Sequence, residues 1–312
     1  MTLIKPFTSL SKADVAVAGG KGASLGEMIQ AGIPVPEGFV VLEEAFESFL
    51  KENDLHTEID ALLHGVDHEK MHTVEHASEQ IQSLIMHAEM AEDLGKAITN
   101  AFSELNAPFV AVRSSATAED SSTAAWAGQL DTFLNSTSTT LLENVKKCWA
   151  SLFTPRAIFY RFEQGLHEEH ISVAVVVQKM VDSEVSGIAF SVHPVTEDKN
   201  QLIIEAGLGL GESVVSGQIT PDSYVVEKDK WKIVEKHVSS QEKGLFRSLH
   251  GGTEWKEVKG GEQKLTDMQI ISLGKLLVSI EKHYGFPVDV EWGLFENKLY
   301  VLQSRAITTL KK

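Results

Sequence analysis

Along the chain, apolar residues recur first with the spacing of helices and later with the two-residue alternation of strands. In VAVAGGKGASLGEMIQAGIPVP, Leu25, Met28 and Ile29 sit at helical spacing, and Gly32 followed by Pro34 supplies the stop. From 72 to 106 the pattern predicts helix, with Ile81, Leu84, Ile85, Leu94 and Ile98 as core candidates, and a second helical region covers 141–165. Between them FVAVR, 109–113, is a short strand. Strands ISVAVVVQKMV (171–181), GIAFSV (187–192) and QLIIEA (201–206) follow, then a hairpin, YVVEKDKWKIVE, turning around Lys228-Asp229-Lys230. The run LTDMQIISLGKLLVSIEKHYG (265–285) is a helix with Thr266 as its N-cap. This is an α+β pattern, with helices weighted to the first half and strands to the second. The polar stretch HPVTEDKN at 193–200 reads as a connection between lobes.

The segment DVEWGLFENKLYVLQSRAI, 289–307, reads as two strands and a tight turn, yet it carries polar residues where apolar alternation should run. Asp289 and Glu291 share one face of the first strand, and Gln303 and Arg305 share one face of the second. A two-residue turn at Glu296-Asn297 would put these pairs on opposite faces. An odd-numbered loop, Phe295-Glu296-Asn297 with Asn297 in the left-handed region, would bring all four together. The pattern leaves two readings: an exposed face with ordinary charges, or a site that holds a cation and its anionic ligand.

Composition narrows the partners. A chain of 312 residues has room for two lobes, each with its own core. A net charge of -16 argues against a nucleic-acid backbone, though a small polyphosphate needs only a local positive pocket. The single cysteine, Cys148, cannot form an internal disulfide and points to a reducing compartment. The opening MTLIKPFTSLSK has no apolar signal core, and VAVVV at 173–177 is too short to cross a bilayer. The expected setting is cytoplasmic, without membrane or nucleic acid.

Several stretches carry candidate chemistry. AGGKGASLGE resembles a phosphate loop, but a Walker pattern needs glycine at Val15 and a dinucleotide fingerprint needs glycine or alanine at Leu25. What remains is a glycine turn with Lys21 entering a helix, where amide donors and a cation can meet an anion. A plain helix entry with a solvated lysine fits the same spacing. GLGLGES at 207–213 lacks the third fingerprint glycine, because Val214 occupies it, and reads as a loop near a site or a mere turn. HEKMH at 68–72 satisfies a zinc-protease template, and His64, His68, His72 and His76 would line one helical face. Gly65, Asp67, Lys70, Thr73 and Glu75 around it make a solvated composition, so an exposed histidine-bearing face is the better account. RSSATAED and TAAWAGQLDTFLN are more informative: a buried strand delivers Arg113, whose guanidinium can clamp phosphate, and Ala127-Gly128-Gln129 lets backbone approach a ligand. Lys21, Arg113 and Arg305 beside Asp289, Glu291 and Gln303 are the inventory an ATP-magnesium site requires.

GGKGASLGEM, IPVPEGFVV, AVRSSATAED, AGQLDTFLN, SLFTPRAIFYR, VVVQKMV, SGIAFS, GLGE and VDVEWG…LYVLQSRAIT occur in an order that resembles the phosphoenolpyruvate synthase and pyruvate phosphate dikinase family, over nearly the whole chain. The resemblance extends to rifampicin phosphotransferase. It implies an ATP-grasp fold, two α+β lobes with ATP held between them, and places the lobes at 1–190 and 191–312. It further implies that Lys21 and Arg113 contact phosphates and that the loop from Gly128 to Thr132 folds over them. By the same resemblance Gln178 to Met180 would form the edge read by adenine, Glu291 and Gln303 would hold magnesium with Asp289 a further acidic candidate, and Arg305 would stabilise the transferring phosphoryl group. The family relays phosphate through a histidine on a separate swivelling domain, in a motif like Thr-Ser-His-Ala-Ala, and none of the 12 histidines here has that context. Nor is there room for a pyruvate-binding barrel. The implied partner is therefore a phosphohistidine carrier on another polypeptide or on a longer parent chain, with AMP as product. The competing readings are the nucleotide half of a rifampicin phosphotransferase-like enzyme and a non-catalytic ATP-sensing module.

Overall fold

The structure, a computed structural model, describes residues 2–117, 130–166, 171–308 and 310. The chain divides into two compact units, one of residues 1–26 and 37–180, the other of residues 27–36 and 181–312.

The first unit is built on a sheet of strands β1 (Ile4–Pro6), β2 (Gly38–Val41), β3 (Val110–Ala116), β4 (Thr132–Ser136) and β5 (Val173–Lys179), in the order β1-β2-β5-β3-β4 and antiparallel at each pairing. Val110, Val112 and Ala116 of β3 and Val173, Val175 and Val177 of β5 alternate into a core shared with helices α2 (Glu43–Glu52), α3 (His56–His64), α4 (Met71–His87), α5 (Glu92–Glu104), α6 (Leu141–Ala150) and α7 (Pro155–Glu163). Phe49 and Trp149 meet there at 4.9 Å between ring centroids. Helix α1 (Val15–Gln30) precedes this layer in the chain and is broken at Gly19.

Both long helical stretches predicted from periodicity are interrupted for local reasons. The first ends at His87 because Lys146 Nζ takes the terminal carbonyls of Met86 (2.6 Å) and Ala88 (2.7 Å), so α4 and α5 are separate helices. The second breaks at Thr154-Pro155: the Thr154 hydroxyl caps the Ala157 amide at 3.3 Å, and proline occupies the first helical position.

The second unit is a six-stranded antiparallel sheet, β13-β12-β6-β7-β8-β9, of β6 (Val185–Phe190), β7 (Gln201–Leu208), β8 (Asp222–Glu227), β9 (Lys232–His237), β12 (Val288–Phe295) and β13 (Lys298–Ala306). A separate ribbon pairs β10 (Gln241–Arg247) with β11 (Thr253–Gly260), and α8 (Glu212–Val215) is a single short turn. Helix α9 (Asp267–Tyr284) packs on one sheet face, where Leu202, Ile204, Val290 and Trp292 are buried with Ile270, Leu273 and Leu277. Its N-cap is the predicted Thr266, in a capping box with Gln269, and Gly285 ends it in the left-handed conformation.

Two organisational expectations need correction. The division falls at Met180/Val181 and not at 190/191, because β6 is hydrogen-bonded between β12 and β7 and so belongs to the second sheet. HPVTEDKN does not connect units: it is the turn from β6 to β7, folded on itself by Glu197 N–H to His193 O at 2.8 Å.

Candidate functional site

Within the first unit, the residues singled out by the sequence gather on one face of the sheet. Ala111 stands opposite Gln178, Arg113 opposite Val176, and Ser115 opposite Ala174. Alternation therefore directs Arg113, Ser115 and Gln178 away from the helical layer that receives their neighbours. Thr132 opens β4 directly opposite Arg113. Met180 follows β5, its N–H donating to Phe109 O at 3.1 Å. Gln178 is 2% exposed, and its Nε2 has no hydrogen-bond partner among the described residues. A buried amide donor left unmatched is costly, and this one keeps the capacity for one further hydrogen bond.

The break in α1 that precedes Lys21 lies against this face, where Ser115 Oγ bonds Ala18 O and Gly22 N. At Gly19 the backbone leaves the helix, with φ 67 and ψ 170, and Lys21 lies in the first turn of the piece that follows. This is the glycine turn into a helix expected from AGGKGASLGE. The glycines after the break have packing duties: a Cβ on Gly22 would meet Val40 at 3.0 Å, and one on Gly26 would meet Leu10 at 2.6 Å. Gly128 lies outside the described residues.

The second unit gathers the other set. Asp289 pairs with Arg305 and Glu291 with Gln303, directly opposite on β12 and β13, so all four side chains share one face, opposite the one packed on α9. The turn does not achieve this. Phe295 pairs with Lys298, leaving a two-residue turn in which Glu296 (φ 48) and Asn297 (φ 59) are both left-handed, the type I′ geometry. By itself that turn would set the pairs on opposite faces. The register shifts after Glu291, where Leu302 is an extra residue on β13, and this β-bulge restores the common face.

Arg305 is held by Asp289, whose Oδ2 accepts from Nε at 2.8 Å and from Nη2 at 2.7 Å. Gln303 is 8% exposed, and its Oε1 has no hydrogen-bond partner among the described residues. The sequence reading missed Glu205. On β7 it stands opposite Ile188, which stands opposite Glu291, so Glu205, Ile188, Glu291 and Gln303 form one row across four strands. Its signal was present in QLIIEA, a carboxylate in an otherwise aliphatic strand. Burial pushes the Glu205 carboxyl up, and the Asp289 charge adds to the push. Burial likewise raises Asp289, with Arg305 opposing and Glu291 adding. Of this row, Glu291 and the unmatched Gln303 oxygen are hard-oxygen donors of the kind a small divalent cation takes.

The histidines do not form a comparable site. His64 ends α3, His68 lies in the turn before α4, and only His72 and His76 are on α4, so the four do not line one helical face. The His68 ring stacks on Phe162 at 5.1 Å. Among the described residues no group of three or more His, Cys, Asp or Glu side chains is arranged to hold a metal ion, and no helix is long and apolar enough to cross a membrane.

Residues 15–312 match the family described as "Pyruvate phosphate dikinase, AMP/ATP-binding domain". The chain is 47% identical to the "Probable phosphoenolpyruvate synthase" of Methanocaldococcus jannaschii, covering 100% of this chain and 27% of that protein. It is 41% identical to phosphoenolpyruvate synthase of Pyrococcus furiosus, over 99% of this chain and 44% of that one. With rifampicin phosphotransferase of Bacillus cereus it shares 39% identity over 99% of its length and 36% of the relative's. The chain thus spans less than half the length of each of these relatives.

Proposed function

The chain belongs to the pyruvate phosphate dikinase AMP/ATP-binding domain family, and from that membership we propose that it is the ATP-grasp phosphotransferase part of a phosphoenolpyruvate synthase-like enzyme. In that fold ATP is bound by residues of two lobes, and each unit here carries one candidate face of its own. The reaction passes phosphate from ATP to a histidine on a separate carrier domain, in trans or on a longer parent chain, and leaves AMP. The observation that carries the reading is the pairing of Glu291 with Gln303 and of Asp289 with Arg305 on one face of the sheet.

The roles follow from charge and position. Lys21 and Arg113 neutralise the phosphates, with Thr132 opposite Arg113 able to donate to the same oxygens. Gln178 and the backbone through Met180 present the edge read by adenine, and the unmatched Gln178 amide supports that role. Glu291 and Gln303 would hold magnesium, whose chemistry is to neutralise charge on the phosphate oxygens. The unmatched, buried Gln303 oxygen fits that ion. Asp289 is better assigned to orienting Arg305 than to the metal, since one of its oxygens already accepts two guanidinium bonds. Arg305 then meets the transferring phosphoryl group in a fixed pose, and the catalysis is positioning and charge neutralisation.

The test is to mix the chain with ATP, magnesium and a histidine domain from a family member, and to look for AMP and phosphohistidine. Tight ATP binding with no AMP from any such domain would favour an ATP-sensing module. In the active mixture, Glu291→Gln should weaken the magnesium dependence. Arg305→Ala should slow transfer by about 10²–10³ with nucleotide binding mostly kept. Unchanged turnover in both variants would refute these roles. Identity is higher to the synthases than to the rifampicin enzyme, so pyruvate is the acceptor class to try first.

A further inference from the structure

We infer that Ser115 is a positioning residue that locks Lys21 and Arg113 into one rigid phosphate-facing pair, an inference that rests on reading this face as a nucleotide site. Ser115 is fully buried on β3, two residues beyond Arg113 and on the same face. Its Oγ donates to Ala18 O at 3.0 Å and accepts from Gly22 N at 3.4 Å.

Those two backbone groups flank the break in α1. A helix interrupted at Gly19 leaves carbonyls at the end of one piece and N–H groups at the start of the next without helical partners. One hydroxyl serves both, capping the first piece through Ala18 and the second through Gly22. Lys21 stands between the two tied groups, so its backbone is referenced to the strand that carries Arg113.

The approach is close. A Cβ on Gly19 would lie 2.2 Å from Ser115 Oγ and 2.4 Å from Ser115 O, so no other residue lets the break sit against β3. The neighbouring Ser114 anchors the other face of the strand, donating to Cys148 O at 3.2 Å and to Asp131 O at 3.1 Å. The Lys21 charge is felt at that anchor. Burial pushes the Cys148 thiol up to about 12, the Ser114 hydrogen bond and Lys21 opposing and Asp131 adding.

A double-mutant cycle tests the inference, with ATP-magnesium affinity read by titration calorimetry and adenosine affinity by NMR titration. Ser115→Ala should weaken ATP about tenfold, the worth of the lost hydrogen bonds, while adenosine, which carries no phosphate, changes less than about twofold. Combined with Lys21→Ala, it should add less than about twofold to the loss from Lys21→Ala alone, because an absent lysine cannot be mispositioned. Ser115→Cys keeps the volume with a poor hydrogen-bonding group and should repeat the result if the alanine variant fails to fold. Losses that add fully, or equal weakening of ATP and adenosine, overturn the inference. A wild-type chain that binds no ATP overturns the reading of the face, and the inference with it.

Discussion

At Gly19 and Gly32 the same residue type answers different demands, and substitution should separate them. Both have positive φ, 67 and 74, but a Cβ at Gly32 meets nothing within 4 Å, whereas one at Gly19 runs into the Ser115 backbone. Gly32→Ala should therefore cost only the left-handed backbone penalty, about 1–2 kcal/mol. Gly19→Ala should cost a further ~1–3 kcal/mol from the forced shift, measured as urea-denaturation midpoints at constant slope. Equal costs would mean that α1 moves freely off β3. The glycine motif was thus only partly legible. Its turn into a helix at Lys21 could be read from spacing, but that Gly22 and Gly26 are spaced to fit Val40 and Leu10 depends on partners far along the chain. Ser115 was invisible for the same reason: one of the two adjacent serines in RSSATAED is distinguished only by what lies across from it.

The hairpin β12–β13 shows which element-scale features periodicity can carry. Alternation correctly put Asp289 with Glu291 and Gln303 with Arg305 on shared faces, and the turn residues correctly signalled a hairpin. The sequence could not say whether turn or bulge sets the relation between strands, since a bulge is a register event without a residue signature. Two deletions follow. Removing Leu302 leaves Gln303 opposite Glu291 and Arg305 opposite Asp289, so the chain should fold and keep magnesium-dependent nucleotide binding. Removing Ser304 would turn Arg305 to the face packed on α9 and break its bonds to Asp289, so binding and the denaturation midpoint should both fall. Comparable behaviour of the two variants would show that register is not what assembles this face. Helix breaks divide along the same line. Thr154-Pro155 is a signal in the sequence, whereas the capping of α4 by Lys146 joins residues about 60 apart.

On the scale of the whole molecule, each unit has its own sheet and its own buried side chains, so calorimetry should resolve two transitions. The strand that misled the boundary, β6, is apolar like β5 before it, and only its pairing with β12 and β7 assigns it to the second unit. The polar turn after it misled because polarity marks any exposed turn, within a sheet as well as between lobes.

The second transition carries a fully buried titratable contact. Asp222 and Lys264 are both buried, with Lys264 Nζ on Oδ1 at 2.9 Å. The same ammonium donates to Ser239 O at 2.5 Å and Gly260 O at 2.6 Å, which ties the open end of the β10–β11 ribbon, where its two strands begin and finish, to β8. Burial alone would push the Asp222 carboxyl up. Hydrogen bonds from the Tyr224 hydroxyl, the Lys264 side chain and the Lys264 and Ser239 amides outweigh it, and the carboxyl ends below its ordinary value. A carboxyl held lower in the folded than in the unfolded chain contributes stability above its unfolded value, near pH 4, and loses it as pH falls through the folded one. The second transition should therefore drop as pH is lowered below about 4. Asp222→Asn removes this titration and leaves the Lys264 ammonium buried without its carboxylate. At neutral pH it should cost about 3–5 kcal/mol in that transition alone, and the part of the acid slope due to this group should vanish. Lys264→Met too should lower the neutral-pH midpoint, and because the carboxyl left behind would rise toward or above its unfolded value, the acid loss due to this group should shrink. If both variants keep the wild-type acid slope, the Asp222–Lys264 contact is not what fastens the ribbon to the sheet.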